Sequence, residues 1–535
     1  MNTFTLGFVV IIYLLVIAYL GWLGYRKTTT TRDYLLAGRE IHPFVMAMSY
    51  GATFISTSAI VGFGGIAGVY GMGLIWLTFF NIFIGIFIAF VFFGRSTRKM
   101  GHNMDAHTFP EFLGKRFGSE SIQIICGLII FIAMPLYAAV VLIGGARFLE
   151  SIFEIDFAIA LTFFTLIIAA YVIAGGLKGV MYTDALQGSI MFVSLGFLLV
   201  FSYIKLGGFS SAHQALTNMA GLIPEGLARQ GHEGWTTFPK MNSPWWWVLT
   251  TNIILGVGIG VLAQPQLVVR FMTVRSTREL NRAVLIGGVF IFVSTGFIFT
   301  VGALSNVYFH NETGQLAIQA AKGNVDLIIP EFINRAMPEW FVYIFMLALL
   351  SAGMSTLSSQ FHTMGTSIGR DVAEKFFSKE KVNSMLIARL GILIAILVSV
   401  LIGYKLPEGV IARGTAVFFG ICAAAFLPVY FGALYWRRVT RQAALWSILS
   451  GMGTSIFALV FLHQKESEPL GICNLLFGKA YLIDKFPWMI IDPILIALPV
   501  SILVLVVVSL ITPRMDSQHL DNCFRGIRYA DSGRR

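Results

Sequence analysis

The chain reads as an all-α integral membrane protein of about 13 transmembrane helices, and three observations carry that reading. Hydrophobic residues make up 56% of the 535 residues and charged ones only 12%. The mean hydropathy is +0.78, a make-up foreign to ordinary soluble globules. Apolar runs of about 20 residues, enough to cross a hydrocarbon core of about 30 Å, recur along the whole chain. Two of them carry small hydroxyl residues where a span ordinarily carries Leu: SYGATFISTS from Ser49 to Ser58, and SAGMSTLSSQ from Ser351 to Gln360. In hydrocarbon such a stretch persists where it lines a cavity or holds an ion, although small residues also let helices approach closely. Together the two runs read as the halves of a sodium site.

The expected spans fall near 4–24, 43–70, 74–94, 122–146, 156–175, 183–205, 245–269, 284–305, 338–369, 386–404, 411–436, 442–462 and 488–512. The first lacks the basic leading segment and small-residue cleavage site of a secretory signal, and basic residues follow it, so it is kept as a span. With the N-terminus outside and the C-terminus in the cytoplasm, 27 of the 38 Lys and Arg fall on inside segments, which is the positive-inside pattern. The net charge of +11 is then mostly a signal of topology, with some contact to anionic lipid headgroups. No base-stacking aromatics interleave it on a soluble face, which argues against nucleic acid as a partner. Cys126, Cys422, Cys473 and Cys523 show no metal spacing and no pairing pattern. No HExxH, GxxxxGK[ST] or GxSxG string appears, so neither an ATP-driven pump nor a membrane enzyme is expected.

Glycine and proline placement suggests an internal repeat. Span 43–70 contains GFGGIAG, and span 245–269 contains LGVGIGVLAQPQ, where Pro265 removes a backbone donor. Discontinuous helices of this kind open each half of an inverted-repeat transporter. The two lie five spans apart, and an odd number of spans per repeat makes the halves opposite in topology. The expected divisions are an extra helix and loop over 1–42, a first five-helix repeat over 43–205, and an extracytoplasmic loop over 206–244. A second five-helix repeat follows over 245–436, then two further helices over 437–512 and a cytoplasmic tail over 513–535. Pro135 and Pro428 also lie inside spans and are expected to kink them. The loop 206–244, with its WTTFPKMNSPWWW end, is expected outside, where it either covers the solute path or, as preferred, sets its three Trp residues Trp245, Trp246 and Trp247 in an interfacial belt.

Six ordered motifs then carry a family resemblance. They are RDYLLAGREIHPFVMAMSYGATFIS, GGARFLES, GGLKGVMYTDALQGSIM, GIGVLAQPQLVVRFM, LLSAGMSTLSSQ with GRDV after it, and GTAVFFGICAAAFLPVYFGALYWRRVTRQAAL. The chain resembles the sodium:solute symporter family, the group containing proline permease, pantothenate permease and the sodium/glucose cotransporters. The resemblance implies a leucine-transporter-type 5+5 inverted-repeat core, sodium-coupled uptake and alternating access. It places a sodium site on the carbonyls of Ala52, Ile55 and Ala352 and the hydroxyls of Ser355 and Thr356. Sodium is a hard cation suited by neutral oxygens, and all five positions offer them.

Asp184 matches an acidic position of the family. It reads either as a carboxylate that passes sodium inward or holds a second cation, or as a helix cap. Arg39 matches a basic position at the inner end of the first broken helix and reads either as a gate partner or as a topology anchor. The expected solute pocket is lined by Phe54, Ser56, Thr57, Tyr137, Val257, Val261, Gln264 and Phe419. Proline-transporting members carry an acidic residue where Phe54 stands and aromatics at Val257 and Val261, so proline itself is not the expected solute. With no acidic side chain to pair a cation, the pocket fits a small monocarboxylate, amino acid or vitamin-like acid better than a polyamine or a sugar. The expected function is sodium-coupled import of a small organic solute across the cell (inner) membrane. Proton-coupled or uncoupled transport is the alternative, and a transporter-like sensor a more distant one. Lipid is the other expected partner, and no obligatory protein partner is evident.

Overall fold

The structure is a computed structural model that describes residues 3–28, 30–172, 177–376 and 384–527, all helical or irregular, with no strand among them. All thirteen expected stretches carry helix, but only eleven helices among the described residues are long and apolar enough to cross a membrane. Two features account for the difference. The stretch 43–70 is not one helix, and its second part, Ser58–Tyr70, ends at Gly71, whose φ 72° and ψ −153° turn the chain into the next helix over Ile75–Gly94, so the two expected spans are counted there as one. The stretch 156–175 is helical over Phe157–Val172, its described apolar part, Phe157–Ala169, being shorter than a span; its last residues lie outside those described.

Hydrocarbon sorts the helices by burial. Within their most apolar stretch, Glu339–Phe376 and Ile411–Tyr435 are 83% buried, against 17% for Thr5–Arg26 and 28% for Ile494–Ile511. The first pair forms the middle of the bundle, while the second pair presents Leu15, Tyr19, Leu503 and Ile511 outward. The first helix is still tied to the centre, because the Tyr13 hydroxyl meets Ser351 Oγ at 3.0 Å and accepts from Gln187 Nε2 at 3.2 Å.

Two helices break, the second beside Pro265 as expected and the first at Ile55, within the hydroxyl run and ahead of the glycine cluster, which is itself helical. Pro43–Phe54 ends at Ile55, whose φ −82° and ψ 88° are not helical, and the chain restarts as a wide turn over Ser58–Phe63. The second break is at Gln264, extended at φ −73° and ψ 119°, with Pro265 opening the next short helix. Proline suits that first position, since its missing N–H would have no partner there. Pro135 and Pro428 sit inside continuous helices.

The 206–244 loop corrects one expectation. Trp245 is no interfacial residue, for its ring lies 4.0 Å from that of Tyr70. Trp235 is buried, donating from Nε1 to the Gly68 carbonyl at 3.1 Å. The loop therefore caps the far end of the first broken helix. The four cysteines are free and buried.

Close backbone approach holds the core together. A Cβ on Gly260 would stand 2.5 Å from the Phe419 carbonyl oxygen, whereas one on Gly453, on a lipid-facing surface, meets nothing within 4 Å. Gly260→Val is therefore expected to destabilise the protein by about 1–3 kcal/mol through overpacking, while Gly453→Ala is neutral or slightly stabilising. Thermal unfolding of the two variants in detergent checks this, and equal midpoints would contradict the close approach.

Candidate functional site

The break at Ile55 sets up the site. In an unbroken helix the Ala52 carbonyl would accept from the Ser56 N–H, but that N–H turns to the Phe54 carbonyl at 3.1 Å. The released oxygens are met from the facing helix, Glu339–Thr366. Ser355 Oγ donates to the Ala52 carbonyl at 2.9 Å, and Thr356 Oγ1 donates to the Thr53 carbonyl at 3.0 Å. Ser355 Oγ also lies 3.3 Å from the Ala352 carbonyl. Four of the five expected ligands thus meet in one buried contact, with Ile55 at the break itself. Every donor in it is a neutral oxygen.

A buried ion pair lies directly beside it. Arg270 Nη2 is 3.0 Å from Asp184 Oδ2, with side-chain exposures of 1% and 0%. The same guanidinium donates to Ser49 Oγ at 3.0 Å, Thr53 Oγ1 at 2.6 Å, Ser359 Oγ at 2.7 Å and the Gln266 carbonyl at 2.6 Å. Ser49 Oγ donates to Asp184 at 2.7 Å. Asp184 is thus no helix cap; it is a side-chain acceptor in the middle of the bundle. Its partner is Arg270, which is held at depth by the short segment that follows the Gln264 break. Arg39 is elsewhere, 3.3 Å from Asp105 and 2.9 Å from both His102 Nδ1 and the Ala106 carbonyl. Thr53 belongs to both arrangements, with its carbonyl facing Thr356 and its hydroxyl facing Arg270.

The expected pocket residues divide. Tyr137 stacks on Phe418 with centroids 5.2 Å apart and stands edge-on to Phe419 at 5.4 Å, with Ser56 beside its hydroxyl. Phe54 faces Phe419 at 6.4 Å. These residues form one aromatic and hydroxyl cluster at the break. Thr57 instead gives its hydroxyl to the Val141 carbonyl, and Val261 packs where a Cβ on Gly85 would come within 2.8 Å. Both therefore serve helix packing, and Val257 is simply buried. Gln264 Oε1 accepts from Gln266 Nε2 at 2.6 Å, while its own buried Nε2 has no partner among the described residues.

Two cavities approach this centre from opposite faces. The one on the Arg39 side is lined by His107, Arg270, Ser359 and His362 among others, and its volume of about 20 Å³ holds roughly one water. The one on the opposite side is lined by Tyr70, Asn252 and Arg413 among others and measures about 100 Å³. Neither of these two admits a solute of ordinary size. On the Arg39 side, Glu111 binds Arg370 through two contacts of 3.1 Å and Lys115 at 2.9 Å. Burial works against the Glu111 carboxylate, but His107, Arg370 and Lys115 outweigh it and hold its pKa well below the usual range.

Sequence reasoning missed Arg270, together with the roles of Ser49, Thr53 and Ser359. The signal was present: an arginine inside the apolar run LVVRFM, directly after a proline break, requires a partner at depth.

Two broken helices, with a hydroxyl-bearing helix facing one break, are the layout of an ion-coupled secondary transporter. A model of the sodium:solute symporter family matches residues 34–451, and the chain belongs to that family. Sodium-coupled import of a solute is the activity this membership assigns, by transport and not by catalysis. The chain is 26% identical over 474 residues to the osmoregulated proline transporter OpuE of Bacillus subtilis, covering 87% of this chain and 90% of that one. It is 27% identical over 491 residues to a sodium/proline symporter of Staphylococcus aureus, with 89% of each covered. In fold it is similar to a Na+-coupled sialic acid symporter in a substrate-bound outward-open state, at a TM-score of 0.73 and 18% identity, covering 96% and 98% of the two chains.

Removing Arg270 leaves Asp184 charged and buried without a partner. Arg270→Leu is expected to cost about 3–5 kcal/mol, and the Asp184→Asn, Arg270→Leu double variant to recover most of it. Unfolding midpoints of the two in detergent check this; a double variant no more stable than the single one would contradict the buried pairing.

Proposed function

We propose that the coupling sodium is held by the carbonyls of Ala52, Ile55 and Ala352 with the hydroxyls of Ser355 and Thr356, and that the imported solute carries a carboxylate. The first part rests on one observation: the Ser355 and Thr356 hydroxyls already stand at 2.9 Å and 3.0 Å from carbonyls released by the break. A hydroxyl that donates there can turn its lone pairs toward a cation between the two helices. Ion binding then ties the broken helix to Glu339–Thr366 and favours the solute-competent state. Neutral ligands let the ion leave again where sodium is scarce.

The Asp184–Arg270 pair is the inner barrier on this reading. It sits between the ion ligands and the Arg39-side cavity, which the positive-inside count assigns to the cytoplasm of a cell membrane, with the N-terminus outside. An inward-bound cation meets the guanidinium first, so the Pro265–Val268 segment that carries it has to move for release. Repeat halves over 43–205 and 245–436 put one break in each moving half.

For the solute, the centre offers the Ser56 and Tyr137 hydroxyls and the unpartnered Gln264 Nε2, all able to donate, against the aromatic faces of Phe54 and Phe419. Donors with no free carboxylate suit a small organic acid. Monocarboxylates, amino acids and vitamin-like acids share that group, and relatives named as proline transporters keep amino acids in the class.

Ser355→Ala with Thr356→Ala is expected to raise the sodium concentration for half-maximal uptake at least about fivefold, in protein that is less stable for the two carbonyls left unmet but still recovered folded. Uptake against sodium in proteoliposomes reads this, and unchanged sodium dependence would void the ion site. Thermal stabilisation by a panel of carboxylates, amino acids, vitamins and sugars, each in sodium and in potassium chloride, tests the solute. A sodium-only shift with a carboxylate supports the class, and shifts confined to sugars overturn it.

A further inference from the structure

The cavity on the Arg413 side is built on the helices that form the centre. Ile66 and Tyr70 continue the first broken helix beyond Phe54, Asn252 lies one turn and more before Val257, and Arg413 lies about two turns before Phe419 on its helix. A fourth wall comes from outside the repeats. The segment between Arg441–Phe461 and Ile494–Ile511 folds back over the mouth and contributes His463, Lys465 and Ile490.

That segment is pinned at several points. The Gln464 N–H donates to the Met489 carbonyl at 2.9 Å, His463 Nε2 meets the Ile490 carbonyl at 3.2 Å, and the Asp492 N–H donates to Thr251 Oγ1 at 3.1 Å. Arg413 Nε reaches Glu466 at 3.0 Å, bridging the segment to a core helix. The mouth is therefore a fixed construction in which every charge has a definite place.

The balance of those charges is one-sided. Three basic side chains line the cavity, Arg413, Lys465 and His463, and no acidic one among the described residues does. Glu466 is occupied by both Arg413 and His463. Asp492 does not line the cavity: it is 2% exposed, accepts from the Ile494 N–H at 2.8 Å and lies against Gly256 and Gly420, although its charge reaches His463. Lys465 is exposed and has no carboxylate within 4.0 Å among the described residues. Burial opposes the His463 imidazolium, but the hydrogen bond and charge of Glu466 outweigh it and raise its pKa above the ordinary value. A low-dielectric mouth with an excess of one sign of charge concentrates solutes of the other sign.

We propose that Lys465, Arg413 and His463 form an anion-recruiting subsite at the outer mouth, which takes the carboxylate of the incoming solute before it reaches the central site. This rests on the reading of the solute as an organic acid and of this face as the outside. The two helices beyond the repeats thereby acquire a role, since their connecting segment supplies the lysine that faces the path.

The test reads the mouth alone, independently of which acid is carried. Ile66, half-buried in the cavity wall, is changed to Cys, the four native cysteines being buried. Its modification rate in proteoliposomes is measured with an anionic and with a cationic methanethiosulfonate. The anionic reagent is expected to react roughly tenfold faster. Lys465→Gln should erase most of that preference and Lys465→Glu reverse it, both at an exposed position that tolerates change. Equal rates with the two reagents, or a preference indifferent to Lys465, overturn the subsite whatever the uptake panel gives. A Lys465-dependent preference together with a panel that recognises only neutral solutes keeps the anion-attracting mouth and overturns the organic-acid reading.

Discussion

A carbonyl released from a helix inside hydrocarbon must find a new partner, because each unmet backbone group at that depth costs several kcal/mol. The break at Ile55 releases the Ala52 and Thr53 carbonyls in the most buried part of the molecule, and Ser355 and Thr356 are what answer them. Much else follows from that one requirement. Glu339–Thr366 has to stand against the broken helix, small residues have to line their contact, and the remaining helices have to enclose both.

The Asp184–Arg270 pair obeys the same logic with stronger forces. Each charge alone would be prohibitive in this environment, and attraction between them offsets the loss of water only when the surrounding hydrogen bonds are good. Here the guanidinium has four further acceptors, three of them hydroxyls drawn from two helices. Such a network specifies one arrangement of the helices that supply it. It also explains why hydroxyl residues in these two runs outnumber what an ion site alone would use.

The fold was legible to a large extent. Apolar length marked the helices, and the hydroxyl run at Ser49–Ser58 and Pro265 marked the two breaks, whereas the glycine cluster Gly62–Gly68 proved helical. Ala52, Ala352, Ser355 and Thr356, to which the resemblance assigned an ion site, stand together in the structure. What the sequence does not carry is rotation about a helix axis. Thr57 and Val261 lie in the right segments, yet Thr57 is taken by the Val141 carbonyl and Val261 by the face of Gly85. Arg270 was passed over because a basic residue near the end of a span looks like a topology anchor until its partner is seen 86 positions away. Trp245 was misplaced for a related reason: an aromatic at a span end is as suited to capping a neighbouring helix as to meeting the headgroups.

Thr53 carries a consequence for fidelity. Its carbonyl answers one helix and its hydroxyl the guanidinium, and a β-branched side chain turns little about its own axis, so neither contact shifts without the other. If the proposed ion site and inner barrier hold, an ion leaving alone would disturb the one residue that touches both, and a carrier of that design would resist slippage at a single stiff threonine more than at any gate around it.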